Sequence, residues 1–218
     1  MSFVISIESY AAELDAIGKD APPPAPRWNQ DWFPRLDAAA AYAMVRTLRP
    51  KRIVEIGSGH STRFLARAVA DGGLDTHISA IDPQPRASLE GLKVHWLKQP
   101  VQTTALDVFQ ALEARDILFI DSSHQMKPGS DVEFLLEKVL PRLAKDVRVH
   151  FHDIFLPDPY PAAWAWRRYN EQEVVAPLIG QGYAMEFSSH QTRQRDGVLS
   201  RLPLKRGAIE SSLWLRKS

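Results

Sequence analysis

Arg52-Ile53-Val54-Glu55-Ile56-Gly57-Ser58-Gly59-His60-Ser61-Thr62-Arg63-Phe64-Leu65 is the stretch that decides the fold. Ile53, Val54 and Ile56 form a short apolar run of β-formers, the pattern of a parallel strand covered on both faces. Gly57 and Gly59 permit a tight turn and a close backbone approach to a ligand. Ser61 or Thr62 stands where it can cap a helix whose apolar residues Phe64, Leu65, Ala68 and Val69 share one stripe. Asp71-Gly72-Gly73 stops that helix. A helix N-terminus behind a glycine turn attracts negative groups on a ligand.

Working outward, a second strand is expected from Thr76 to Ile81, closed by Asp82. That acid lies about 25 residues beyond Gly57, a spacing suited to gripping ribose hydroxyls. The third position of the dinucleotide fingerprint is Thr62 rather than Gly, which tells against an NAD-type site. Asp116 to Asp121 and Asp146 to His152, the latter followed by Asp153, read as a fourth and a fifth strand, with a third over Val94 to Leu97. Helices are expected after Pro83-Gln84-Pro85, ending near Gly91, and from Thr103 or Thr104, as a cap, through Leu112. A third is expected over Val132 to Leu143, whose apolar residues recur at i, i+3, i+4, i+7, i+8 and i+11 after Pro128. Pro141 should kink or end it. Trp164 to Ile179 reads as helical with a break at Pro177, and Tyr183 to Ser189 and Ser211 to Arg216 as two last strands. Between these strands runs a polar, Arg-rich connection, Gln191 to Gly207.

This alternation predicts an α/β fold with a doubly wound, mainly parallel sheet. Upstream, residues 1–36 read as an N-terminal helical extension: a short helix within Met1 to Gly18, an extended arm at Ala21-Pro22-Pro23-Pro24-Ala25-Pro26, and the aromatics Trp28, Trp32 and Phe33. Those three rings are read as packing anchors ahead of substrate contacts. Leu36 to Leu48 is an Ala-rich helix ended by Pro50, and residues 37–218 make one domain.

The chain has 218 residues and a net charge of +1, so no strong nucleic-acid or membrane field is implied. The absence of Cys removes disulfides, thiolate chemistry and cysteine zinc sites. No apolar run is long enough to span a bilayer, and early Glu8, Glu13 and Asp15 do not make a signal peptide. A cytoplasmic protein is expected.

With these segments in place, Glu55-x-Gly57-x-Gly59 resembles motif I of the class I S-adenosylmethionine (SAM)-dependent methyltransferases. The likeness covers the chain from about Leu36 to the C-terminus. It is nearest to bacterial small-molecule methyltransferases whose motif I reads like Ile56-Gly57-Ser58-Gly59-His60-Ser61-Thr62. Ile120-Asp121-Ser122-Ser123-His124, His152-Asp153-Ile154-Phe155, Asp158-Pro159-Tyr160-Pro161 and Asn170-Glu171-Gln172 also match. The resemblance implies a seven-stranded Rossmann-like sheet of order 3-2-1-4-5-7-6 and a methyltransferase activity. A homodimer is compatible with it. SAM would be held by Glu55, Gly57, Ser58, Gly59, His60, Asp82 and Asp121, with Pro100 to Gln102 bordering the adenine. The acceptor would be a small hydroxylated molecule of sugar or natural-product type. The rivals are a non-catalytic SAM- or nucleotide-binding protein and an NAD(P)-dependent oxidoreductase.

A more distant likeness is to the catechol-type, metal-dependent O-methyltransferases. Asp121 and Asp153 match their two acidic metal ligands, His124 stands where their base Lys would be, and Ile154 replaces their ligand Asn. The implied catalytic set is His124, Asp121 and Asp153. Ile154 leaves a divalent metal open, with weak or no binding expected before substrate. His150 and His152 share a strand face opposite Phe151 and Asp153, so His152 is expected to point away from any pocket that Asp153 faces. Trp164, Trp166 and Tyr160 are candidates for a substrate wall, against core packing as the alternative.

Overall fold

The computed structural model describes residues 7–192 and 202–218. Its seven strands are β1 (Arg52–Ile56), β2 (His77–Ile81), β3 (His95–Leu97), β4 (Ile117–Ile120), β5 (Arg148–Phe151), β6 (Tyr183–Ser188) and β7 (Leu213–Lys217). They form one sheet in the order β3-β2-β1-β4-β5-β7-β6. The first five run parallel, and β7 pairs antiparallel with both β5 and β6. β1, β2 and β4 are almost wholly buried apolar runs, as a sheet covered on both faces requires. The chain order reverses between β1 and β4, which opens a crevice at their carboxyl ends.

One face of the sheet is covered by α1 (Ala11–Asp15), α2 (Arg35–Leu48) and α3 (His60–Asp71). Ala38 to Ala41 and Ala43 of α2 are fully buried, because small side chains let α2 lie close against α3 and the sheet. The N-terminal extension is part of this layer. Ile7, Leu14, Ile17, Trp28 and Phe33 share one core with Phe64, Phe119 and Trp214. The other face carries α4 (Asp107–Gln110), α5 (Asp131–Phe134) and α6 (Glu171–Val175) over a core of Val54, Ile56, Leu118, Ile120 and Val149. A short α7 (Ser189–Thr192) follows β6. Much of the connection from Gln191 to Gly207, and the first residues of the Met1 to Gly18 helix, lie outside the described residues.

Local structure departs from the sequence expectations in five places. No helix follows Pro83; two prolines within three residues leave turns up to Gly91. Only α4 remains of the segment up to Leu112, and it is uncapped by threonine, since Thr103 Oγ1 donates to the Pro100 carbonyl and Thr104 Oγ1 accepts from Gln99. The apolar stripe from Val132 to Leu143 is real, but the backbone changes along it. Ser130 caps α5, a π-helical turn spans Leu135–Val139, and a 3₁₀ turn ends at Arg142, because Pro141 cannot continue the ladder. The Trp164 segment is a 3₁₀ turn, Ala162–Arg167, broken by left-handed Arg168 before α6 begins. Finally α3 starts at His60, so Ser61 and Thr62 lie inside its first turn; Thr62 Oγ1 accepts from the Gly59 N–H instead of capping as the boundary residue.

Candidate functional site

Strand register sets the site. Ile56 pairs with Ile81 on one side and with Ile120 on the other. Gly57, Asp82 and Asp121 therefore leave the sheet at one level, around the crevice. Gly57 has φ 74, and a Cβ there would overlap the Asp121 carbonyl oxygen, so only glycine fits between β1 and β4. Asp82 Oδ2 accepts from the Ser58 N–H at 2.7 Å and its hydroxyl at 3.1 Å, and Oδ1 accepts from the Gln84 N–H at 2.7 Å. The acid thus holds the glycine turn while standing on the cleft wall with Gly57 and Ser58.

Three of the expected cofactor contacts do not reach that wall. Glu55 is fully buried under the turn, where Ser61 and Thr62 donate to its two oxygens at 2.6 Å. Burial outweighs those hydrogen bonds and pushes its carboxyl up to about 8. Gly59 faces Arg86 and Ala87. His60 is buried, held down to about 4 by burial and by the charges of Arg63 and Arg27, and it lies away from the cleft.

The cleft has a volume of about 1190 Å³, room for a nucleoside-sized cofactor and a second molecule. Pro100, Val101 and Gln102, just past the end of β3, border one side of it. On the other side lie Asp121, His124, His152 and Asp153.

These four are brought together by β4 and β5. Ile120 pairs with Phe151, which puts His152, not Asp153, level with Asp121. The next residue, Asp153, takes φ 56 and swings its carboxylate back toward the same point. The strict alternation expected for His152 fails for that reason: the strand has ended, and both residues face the site. His124 also has a positive φ, 59, which turns its ring from the loop into the cluster.

His124 Nδ1 lies 2.8 Å from Glu171 Oε2. Its Nε2 lies 3.3 Å from Asp121 Oδ1 and 3.5 Å from Asp153 Oδ2. His152 Nδ1 stands 3.4 Å from Asp121 Oδ1 and 3.6 Å from Asp153 Oδ1, with Nε2 3.4 Å from Asp37 on α2. Asp37 is itself fixed by the N–H groups of Ser211 and Ser212 and by the Ser189 hydroxyl. Ser211 Oγ donates to Asp153 at 3.0 Å, and Ser122 Oγ to Glu171 at 2.9 Å. Burial alone would lower both histidines. The hydrogen bonds and charges of Asp121, Glu171 and Asp153 win, and hold His124 well above its usual range; Asp153, Asp121 and Asp37 do the same for His152. Asp121 is held low against its own burial by the two imidazolium groups. His150, one turn of the pleat behind, is the opposite case: stacked 3.7 Å from Phe119 and bonded to Ser212, it is kept neutral by burial.

A catechol-type divalent cation does not fit these residues. The side chain at 154 is an apolar isoleucine buried in the core, and its N–H donates to the Ser211 carbonyl. The space between Asp121 and Asp153 is bridged by the imidazoles of His124 and His152, where Mg²⁺ would need oxygen ligands. Among the described residues no group of three His, Cys, Asp or Glu side chains is arranged to hold a metal ion.

Trp164 and Trp166 line the cleft, but Tyr160 packs behind them against Phe155. Trp28 and Phe33 are core residues, whereas Trp32 stands half-exposed at the cleft mouth beneath Arg86. Sequence reasoning missed Asp37, Tyr169 and Arg167, and quoted Glu171 only within a motif. Their signal is spatial: Asp37 meets His152, Ser211 and Ser212 far along the chain, and Tyr169 meets His124 from a separate segment. No described helix is long and apolar enough to cross a membrane.

Residues 54–154 match the model of the methyltransferase-domain family. An uncharacterized protein of Archaeoglobus fulgidus is 36% identical over 91 residues, 39% of this chain and 41% of that protein, so the match spans about two fifths of the relative's length. A methyltransferase of Podospora anserina, solved with S-adenosylhomocysteine (SAH), superposes with a TM-score of 0.54 at 16% identity, covering 98% of this chain and 88% of the other. An O-methyltransferase of Bacillus cereus in complex with SAH gives 0.52 at 14% identity, covering 99% and 90%. With the strand order, these likenesses give the chain the Rossmann-like fold of the class I SAM-dependent methyltransferases.

Proposed function

We propose that this chain, which carries a methyltransferase domain, moves the methyl group of SAM to a hydroxyl of a small molecule, with His124 as the base. The observation that carries the reading is the division of one cleft into two ends. Gly57, Ser58 and Asp82 line it where β1 and β2 end, and His124, oriented by Glu171, stands between Asp121 and Asp153 where the neighbouring β4 and β5 end. Asp82 would take the ribose hydroxyls, and Gly57 and Ser58 would let the backbone approach the cofactor. Glu55 and Gly59 act behind the turn, through Ser61 and Thr62, and keep its shape.

In the reaction the acceptor oxygen attacks the methyl carbon, the carbon–sulfur bond breaks, and its electron pair stays on sulfur to give SAH. The hydroxyl proton goes to His124 Nε2. That nitrogen must first be free. The carboxylates around it keep the ligand-free imidazole charged. A sulfonium lodged beside Asp121 opposes that charge and lowers the pKa, so the base forms when the donor is in place. Since the residues do not fit a divalent cation, no step is assigned to one. Positioning and proton removal are the two tasks left to the protein.

A thermal-shift panel tests the reading. SAH should raise the melting temperature and NAD should not, since a ligand that binds only the folded state stabilises it. A shift with NAD or NADP and none with SAH would replace methyl transfer by nicotinamide chemistry. SAH binding without turnover on any hydroxylated acceptor would favour a non-catalytic binder.

A further inference from the structure

Apart from the histidines, the cations on the cleft wall are three arginines, Arg86, Arg167 and Arg206. Among the described residues none of them has a carboxylate within ion-pair distance. Arg86 is spent over the Trp32 ring, 4.0 Å from its centroid. Arg206 is exposed at the lip. Arg167 is different, because aromatic rings hold it in place. Its guanidinium carbon lies 4.2 Å from the Trp164 ring, 5.3 Å from Trp166 and 5.4 Å from Tyr169. One terminal nitrogen donates to the Tyr169 hydroxyl at 3.2 Å, and its Nε is buried with no partner. The Tyr169 ring in turn lies 4.7 Å from the His124 imidazole. Trp166 stays 76% exposed, an unusual place for so large an apolar ring.

We propose that the methyl acceptor is a planar hydroxylated carboxylic acid: Arg167 takes its carboxylate, the Trp164, Trp166 and Tyr169 rings flank its plane, and its hydroxyl points to His124. The proposal rests on the methyltransferase reading and narrows the acceptor. A planar guanidinium offers paired donors matched to a carboxylate, and its rings have already restricted its motion, so little order is lost on binding. The rings lower the cost of carrying an unpaired charge but supply no counter-ion. Tyr169 separates Arg167 from His124, and one aromatic ring of a ligand bridges such a gap. The charge pattern agrees. Carboxylates crowd the floor, where the hydroxyl must lose a proton, and the cation stands apart from them, where an acid can dock without facing Asp121 or Asp153. A neutral sugar could stack on the rings but would leave the Arg167 charge without a counter-ion.

The test has two stages that fail separately. SAH is first titrated into the protein; loss of that binding would refute the methyltransferase reading itself. With SAH bound, 4-hydroxybenzoate and 4-hydroxycinnamate are titrated against their methyl esters. The acids should bind at least roughly tenfold more tightly than the esters, and Arg167→Ala should erase that difference while SAH still binds as in the wild type. Arg167→Lys should recover only part of it, because the paired planar donors are gone. Esters that bind as well as acids, discrimination that survives Arg167→Ala, or no binding of either acid at millimolar concentration would each overturn the assignment.

Discussion

The two ends of the cleft are built by different means. The donor end is backbone: a glycine turn on the carboxyl end of β1, fixed by N–H donors of Ser58 and Gln84 to one carboxylate, Asp82. Its parts lie within about 25 residues of one another, and each is set by strand register. The acceptor end is side chains: His124 and His152 with Asp37, Asp121, Asp153 and Glu171, drawn from α2, the ends of β4 and β5, and α6. No single local element makes it. A turn of backbone dipoles holds its shape whatever the ligand's charge. A set of four acids and two imidazoles responds to charge, so it is the end where protons can move.

The first expectation breaks the comparison at the acceptor end. His124→Ala should cut kcat by roughly 10²–10⁴-fold with affinity for SAH, which lacks the sulfonium charge, unchanged. Glu171→Gln should lower kcat as well, and it should also move the acid limb of the kcat–pH profile to lower pH, since the carboxylate that raises His124 is gone. A profile unmoved by Glu171→Gln would mean that His124 is not the titrating group.

Next comes the donor end. Gly57→Ala must push a Cβ against the Asp121 carbonyl at positive φ, parting β1 from β4. We expect a loss of about 2–4 kcal/mol in stability by denaturant unfolding, with a fall in SAH affinity. A stable variant with normal SAH binding would show that the turn is not the tight element described.

A smaller effect separates the ends by pH. His124 and His152 are raised in the folded state, so their stabilisation is complete below 6.5 and is lost as pH rises through their folded values. Glu55, raised to about 8, also binds its proton more tightly folded than unfolded, and loses stability as pH climbs from 4.5 to about 8. His60 and His150 are lowered and work the other way below 6.5, and Asp121, held low, loses its contribution as pH falls below 3.8. The melting temperature should therefore peak near pH 6.5 and fall toward pH 9, with Glu55→Gln flattening part of the alkaline slope. A melting temperature that climbs from pH 6.5 to 9 would contradict these charge states. The smallest effect is expected from metal: a chelator, or added Mg²⁺, should leave turnover unchanged.

The same contrast explains what the sequence revealed. Gly57, Asp82 and Asp121 were legible because a parallel sheet places strand ends at one level, and each end carries a turn or an acid. His124 was legible from its spacing to Asp121 and its place in the loop after β4. The orientation of His152 was not, because alternation stops with the strand and the positive φ of Asp153 has no marker in the residues around it. Asp37 sits in an Ala-rich helix with nothing nearby to set it apart, and its partners Ser211 and Ser212 lie 174 and 175 residues away. The helix expected over Val132 to Leu143 kept its apolar stripe but lost regular winding, because periodicity reports which residues face the core and not the hydrogen-bond spacing beneath them.

The most direct test of a cleft with separate donor and acceptor ends is calorimetric titration of SAH into three proteins, the wild type, Asp82→Ala and His124→Ala. Asp82→Ala should lose at least roughly tenfold in affinity, because the ribose acceptor and the anchor of the Ser58 turn go together. His124→Ala should bind SAH as the wild type does. Equal affinity for SAH in Asp82→Ala and wild type, or a loss as large in His124→Ala as in Asp82→Ala, would contradict the division of the cleft.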